Sequence, residues 1–156
     1  MVRKHSEIKR GKARMVINYK KLNEVTKFDG YYLPNKDTLI KQVQNKKIFS
    51  KFDCKSGFWQ IMLTEESKPL TAFSTPSPLG QYEWNVMPFG LKNAPQIFQR
   101  RMDEVIKPIT HFCIAYVDDL LIHSNNINEH IEHLEKFCYI MKKTWNYSFS
   151  KESRNS

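Results

Sequence analysis

Three carboxylates in this 156-residue sequence sit where acids are seldom found, at the ends of apolar runs. Asp118 and Asp119 separate Ile114-Ala115-Tyr116-Val117 from Leu120-Leu121-Ile122, and Asp53 closes the run Ile48-Phe49-Ser50-Lys51-Phe52. Charged side chains are almost never fully buried unless they are paired or bind a metal. An isolated Asp-Asp is most simply a pair of turn residues joining two strands. Asp53, with the same placement, points elsewhere. If the two strands are neighbours in a sheet, the acids converge at one edge and repel one another unless a divalent cation compensates them. Mg²⁺ suits such a site, because it takes a few carboxylates and completes its shell with waters and substrate phosphates. That is the arrangement of two-metal phosphoryl transfer.

Other candidate features are less specific. MPFGLKNAPQIFQ places glycine and proline just before a helix start, which serves either anion binding or a tight turn. Phe58-Trp59 could floor a nucleotide pocket or simply belong to the core. His130 and His133 lie one helical turn apart beside Glu129 and Glu132, and without a third ligand they read as a solvated face.

The elements that would position the acids follow from periodicity. Met15–Tyr19 alternates as a short strand, and NKKIFSKFD is a strand running into Asp53. Thr71–Thr75 and Gln81–Met87 flank a Pro/Gly-rich turn as a hairpin. KNAPQIFQRRMDEVIK is a helix with Asn93 as N-cap and Pro95 in its first turn. Its apolar residues Ala94, Ile97, Phe98, Met102, Val105 and Ile106 share a face. FCIAYVDDLLIHS reads as two strands with Asp118-Asp119 at the turn. A final helix, NINEHIEHLEKFCYIMKK, carries an Asn126/Glu129 capping pattern and an apolar stripe of Ile127, Ile131, Leu134, Cys138 and Met141. The order predicts an α+β fold, an antiparallel sheet with helices packed on one face.

Composition sets the class: 40% hydrophobic and 13% aromatic residues suit a globular chain. No apolar run is long enough for a membrane span, and the N-terminus lacks a secretory signal, so we expect an intracellular protein. Cys54, Cys113 and Cys138 are odd in number and widely spaced, so we expect reduced core thiols. Residues 1–21 hold eight Lys/Arg against the single acid Glu7, most of the net +9. Such an arm suits a polyanion, nucleic acid or nucleotide phosphates, or is simply a solvated terminus. An RRM would need a ribonucleoprotein motif that KSGFWQI does not supply.

FDCKSGFWQI, MPFGLKNAPQIFQRRMDE and YVDDLLIHS, in this order and spacing, closely resemble the reverse transcriptases of caulimovirus-type pararetroviruses and of gypsy-type LTR retrotransposons. KARMVINYKKLN and TAFSTPSPLGQYEWNVMPFG are similar too, so the resemblance covers residues 9–143. It implies an RNA-directed DNA polymerase that adds dNTPs to a primer 3′-OH on an RNA or DNA template, with two Mg²⁺ ions or Mn²⁺ in their place. Asp53, Asp118 and Asp119 would be the catalytic carboxylates and, with the Cys54 backbone, the metal ligands. Tyr116-Val117-Asp118-Asp119 resembles the YxDD hairpin. Phe58 matches the aromatic gate against a ribose 2′-OH, and the amides of Cys54 to Gly57, Ser56 among them, would lie near the triphosphate. Arg14 matches the fingers arginine, while Lys9, Arg10 and Lys12 are candidates for the fingers lysine. Phe89-Gly90 matches the segment under the nucleotide, and Tyr116, Val117, Pro95 and Asn93 would face template or primer.

By this resemblance residues 1–47 are a partial fingers segment with its basic arm, and 48–143 are the palm, with a fingers insertion at about 64–90. Residues 144–156 form a divergent or disordered tail, since TWNYSFSKESRNS departs from the family's Gly-plus-aliphatic strand. Thumb, connection and RNase H are absent from the sequence, so we expect a truncated endogenous copy that is inactive alone. The alternative is a non-catalytic nucleic-acid-binding remnant of a polyprotein. A live element would place the chain in a cytoplasmic virus-like particle.

Overall fold

The computed structural model describes residues 16–76 and 78–145. Arg14, Lys12, Lys9, Arg10, the rest of the basic arm and the tail beyond residue 145 lie outside the described residues. Two short helices, α1 (Lys20–Val25) and α2 (Lys36–Val43), precede strand β1 (Ile48–Asp53). A small hairpin, β2 (Phe73–Ser74) with β3 (Gln81–Tyr82), leads to helix α3 (Ala94–Ile106). Strands β4 (Cys113–Tyr116) and β5 (Asp119–Ser124) and helix α4 (Ile127–Ile140) follow. The expected strand at Met15–Tyr19 is not formed over its described residues. Residues 16–19 are irregular, and Tyr19 instead buries its ring and donates its hydroxyl to the Thr71 carbonyl at 3.0 Å.

The main sheet has the order β1-β5-β4 and is antiparallel throughout. Side chains alternate across it. Ser50, Phe52, Leu120 and Ile122 turn to one face. There Leu120 and Ile122 meet Phe98 and Met102 of α3 and Phe137 and Ile140 of α4 in one core, and Phe52, partly exposed at its edge, packs on Phe137. Both helices therefore cover the same face of the sheet, as expected for the α+β plan. Phe49, Lys51, Asp53, Asp119 and Leu121 turn to the other face.

Two expected faces hold in part: on α3 Ala94, Phe98, Met102, Val105 and Ile106 are buried as expected, and of the α4 stripe Leu134 and Met141 pack against the core. On α3, Ile97 is 36% exposed, and its place in the core is taken by the polar but fully buried Gln99. On α4, Ile127, Ile131 and Cys138 face outward, and the buried residues are His130, Phe137 and Ile140. The buried face of α4 is turned by about one position from the predicted stripe and shares Leu134 and Met141 with it, because apolar residues occur on two adjoining faces and the sheet selects the one carrying Phe137.

The histidines explain the selection. His130 is buried between Ser124 Oγ, 2.8 Å from its Nδ1, and Ser50 Oγ, 2.8 Å from its Nε2. His133 Nδ1 also meets Ser124 Oγ at 2.8 Å, and its ring stacks on Phe112 with centroids 3.9 Å apart. The pair thus belongs to a satisfied buried network and to neither a metal site nor a solvated face. Cys54 and Cys113 are at least partly buried free thiols, as expected, whereas Cys138 is exposed.

Two histidines carry a pH signature, His133 of this network and His123 on the opposite face of β5, whose buried Nδ1 has no hydrogen-bond partner. Burial, reinforced by Lys46, holds the His123 imidazole below its ordinary 6.5, and burial lowers His133 despite the attraction of Glu129. The unfolded chain therefore binds protons that the folded chain refuses. Stability is fully present above the unfolded value and is lost as pH falls through it toward the depressed folded values. The melting midpoint should drop between pH about 7.5 and about 5.5, and His123→Leu should flatten that slope. A wild-type midpoint constant across the window would contradict the account.

Candidate catalytic site

The acids come together at one end of the sheet. Asp53 ends β1 and pairs directly with Asp119, the first residue of β5, so both carboxylates stand on the outer face. Tyr116 pairs with Asp119 across the β4–β5 hairpin, which leaves Val117 and Asp118 as the two turn residues. The turn is therefore one residue earlier than expected, with Asp119 inside the strand. Its left-handed residue is Val117, at φ 49°, and neither aspartate. A β-branched side chain in this region costs about 1–3 kcal/mol and persists only where its surroundings impose it.

Two contacts impose it. Gln99, buried on α3, accepts the Val117 amide on Oε1 at 2.7 Å, while its Nε2 donates to the Ala115 carbonyl at 3.1 Å and to Asp103 at 2.9 Å. From the other side the Cys54 amide donates to the Asp118 carbonyl at 2.8 Å. Gln99 escaped the sequence reading because a single glutamine on an apolar helix face gives no periodic signal; the Q in IFQ, one residue after Phe98, was the only trace. Gly57 completes the cradle. A Cβ there would overlap the Asp118 carboxylate and lie 2.9 Å from Phe98 Cζ.

The electrostatics follow from the packing. Asp118 Oδ1 is buried with no hydrogen-bond partner. Burial raises the Asp118 carboxyl above its ordinary value, and the charges of Asp53 and Asp119 add to the shift. The Cys54 thiol is pushed up to about 11 by burial and then by the same acids. Asp119 is answered by Lys51, whose Nζ lies 3.0 Å from Oδ1. An orphaned carboxylate oxygen among three mutually repelling acids is a donor set fit for a hard divalent cation. Among the described residues no group of three or more His, Cys, Asp or Glu side chains is placed to hold a metal ion.

The other candidates lie around this centre. Phe58, half-buried in the 3-10 turn Gly57–Gln60, packs against Phe89 at 5.2 Å and Phe98 at 5.6 Å between centroids. Ser56 is exposed and left-handed at φ 55°. Of the expected phosphate-facing amides, that of Cys54 is engaged by the Asp118 carbonyl and that of Gly57 donates to the Cys54 carbonyl at 3.1 Å. Those of Lys55 and Ser56 remain. Gly90, at φ 99°, is exposed, and its carbonyl accepts from Asn23 at 2.8 Å. Tyr116 is 39% exposed, while Val117 packs on the core. Pro95 sits in the first turn of α3 as expected. Asn93 occupies the N-cap position without capping: its side chain donates to the Lys27 carbonyl at 2.8 Å and accepts from the Asp29 amide at 3.1 Å.

The family described as reverse transcriptase (RNA-dependent DNA polymerase) matches residues 2–152. The enzymatic polyprotein of Cauliflower mosaic virus (strain Strasbourg) is 57% identical over 134 residues, 86% of this chain and 19% of that protein. The putative enzymatic polyprotein of Cassava vein mosaic virus is 53% identical over 137 residues, 88% of this chain and 21% of that one. The chain thus spans about a fifth of the curated relatives it matches. Among solved structures, the protease-reverse transcriptase of prototype foamy virus superposes with a TM-score of 0.74 at 28% identity, covering 83% of this chain and 17% of that one. A foamy viral protease-reverse transcriptase in complex with an RNA/DNA hybrid superposes with a TM-score of 0.74 at 28% identity, over 82% of this chain and 17% of that one.

Removing the Gln99 clamp should be costly. Gln99→Leu leaves the Val117 amide and the Ala115 carbonyl without that partner in a buried site, at about 1–3 kcal/mol. Chemical denaturation would read this as a lower midpoint with an unchanged slope; an unchanged midpoint would show that the turn is held without Gln99.

Proposed function

The chain belongs to the reverse transcriptase (RNA-dependent DNA polymerase) family, and on that premise we propose that residues 48–143 act as a polymerase palm adding deoxynucleotides to a primer 3′-OH. The observation that carries this reading is the direct pairing of Asp53 with Asp119, beside an Asp118 whose buried Oδ1 has no partner. In the reaction the primer 3′-hydroxyl loses its proton to solvent, its oxygen bonds to the α-phosphorus, the bond from that phosphorus to the bridging oxygen breaks, and pyrophosphate leaves. Two Mg²⁺ ions, or Mn²⁺ in their place, would lower the pKa of the attacking hydroxyl and stabilise the charge of the departing pyrophosphate.

The chain's own residues supply position. Asp53, Asp118 and Asp119 are the ligands, and the Gln99 clamp with Gly57 fixes Asp118. The amides of Lys55 and Ser56 face the triphosphate, and the Phe58 ring, backed by Phe89 and Phe98, stands against the ribose. Tyr116 and the start of α3 lie on the template-primer side. Arg14 and Lys12, outside the described residues, are assigned to the nucleotide by resemblance alone. A nucleic-acid template and dNTPs are therefore the proposed partners. Among the described residues no helix is long and apolar enough to cross a membrane. A cytoplasmic particle remains the proposed setting within a live element.

We also take the 156 residues alone to be inactive. They span about a fifth of the curated relatives, and a misplacement of the primer end by ~1 Å costs ~100-fold. Exposed apolar side chains on β1, Phe49 at 46% and Phe52 at 36%, support a need for neighbouring segments.

Primer extension with Mg²⁺ and dNTPs should be undetectable with the chain alone and restored in a chimaera carrying the downstream segments of a caulimovirus polyprotein. In that chimaera Asp118→Asn should lower incorporation by at least ~100-fold. Wild-type rates in that variant would overturn the catalytic assignment.

Phe58→Ala in the same chimaera should admit ribonucleotides, since the barrier is steric bulk. An unchanged ratio of rNTP to dNTP incorporation would reduce Phe58 to a core residue.

A further inference from the structure

The outer face of β1 carries Phe49, Lys51 and Asp53, opposite His123, Leu121 and Asp119 of β5. Lys51 is thus diagonal to Asp119, a spacing that a long side chain bridges, and its Nζ lies 3.0 Å from Asp119 Oδ1. No packing requirement calls for a cation there. The Lys51 side chain is 63% exposed, its cross-strand partner is Leu121, and a β-branched neutral residue suits the strand better. Of the ion pairs among the described residues, this is the one that engages an acid of the site.

Resting on the reading of Asp53, Asp118 and Asp119 as a divalent-cation site, we propose that Lys51 is its built-in counter-cation, a positioning residue that competes with the divalent ion for Asp119. At low cation concentration the ammonium offsets part of the repulsion among the acids and holds Asp119 toward β1. An exposed pair of this kind is weak enough to be displaced. A dication bound nearby is repelled by the ammonium even after displacing it, so the site fills only at a higher cation concentration. Salt weakens the competition, because the pair is solvent-exposed.

The probe is Mn²⁺ titrated onto the full 156-residue chain and followed by water-proton relaxation, a readout independent of polymerisation. Lys51→Thr should bind Mn²⁺ about three- to tenfold more tightly than wild type, and Lys51→Arg should match wild type. Lys51→Gln, which keeps the aliphatic stem, should behave as Lys51→Thr and guards against a folding defect in the latter. The gain should shrink as ionic strength rises. A purely structural lysine would lower the melting midpoint on removal without tightening Mn²⁺. Unchanged or weaker Mn²⁺ binding in both neutral variants would overturn the proposal. Asp118→Asn in the same titration separates the two readings. If it abolishes wild-type binding while the neutral Lys51 variants bind as wild type, the counter-cation alone fails. If wild type binds no Mn²⁺, or Asp118→Asn binds it equally well, the cation site fails and the counter-cation with it.

Discussion

A valine is held in a conformation valines avoid, and the site depends on it. The β4–β5 turn has only two residues, and its hand requires positive φ at Val117. An asparagine or glycine would adopt this freely; valine does so because Gln99 and the Cys54 amide grip the turn from opposite sides. The strain is thus matched by hydrogen bonds from two elements distant in sequence. In consequence Asp118 is fixed by α3 and by the end of β1 as much as by its own hairpin. A carboxylate that must hold its direction within a fraction of an ångström is served by such cross-bracing.

The two faces of the sheet divide the labour. The inner face carries the apolar core and confines its polar groups to a hydrogen-bonded set of serines and histidines. The outer face carries the acids at an end that is left open, while His123 further along β5 is buried. Net repulsion can be sustained there because the folding energy comes from the opposite side, where Phe98, Met102, Leu120 and Ile122 are almost wholly buried. Cys54 and Gly57 join the two faces: one donates to the Asp118 carbonyl, and the other makes room for its side chain.

Much of this was legible in the sequence where the signal is local. The strand Ile48–Asp53, the hairpin around Asp118, and helices over Ala94–Ile106 and Ile127–Ile140 follow from periodicity, and α4 is capped by Asn126 as expected. What failed depends on partners remote in the chain. Met15–Tyr19 alternates like a strand, but residues 16–19 have no strand partner, and Tyr19 finds Thr71 instead. The position of the turn follows from the Tyr116–Asp119 pairing, which composition does not reveal, since aspartate is the better turn residue. Asn93 fits an N-cap by type but is drawn away by Lys27 and Asp29. Histidines on α4 look solvated until serines from β1 and β5 are brought beside them.

Residues 20–31 are attached to the remainder quite differently from the way the sheet and its two covering helices attach to one another. Helix α1 buries no residue. Its anchors are polar: Asn23 to the Gly90 carbonyl at 2.8 Å, Lys92 to the Thr26 carbonyl at 2.9 Å, Arg100 to Asp29 at 2.7 Å, and Tyr31 to Asp103 at 2.8 Å. Such bonds exchange readily with water, so parting them exposes little apolar surface and costs far less than opening the core. The molecule therefore has a loosely latched flank beside a rigid block, and the latch closes on Gly90 and on the helix that carries Gln99. Subglobal opening of this flank would leave the brace on Val117 intact.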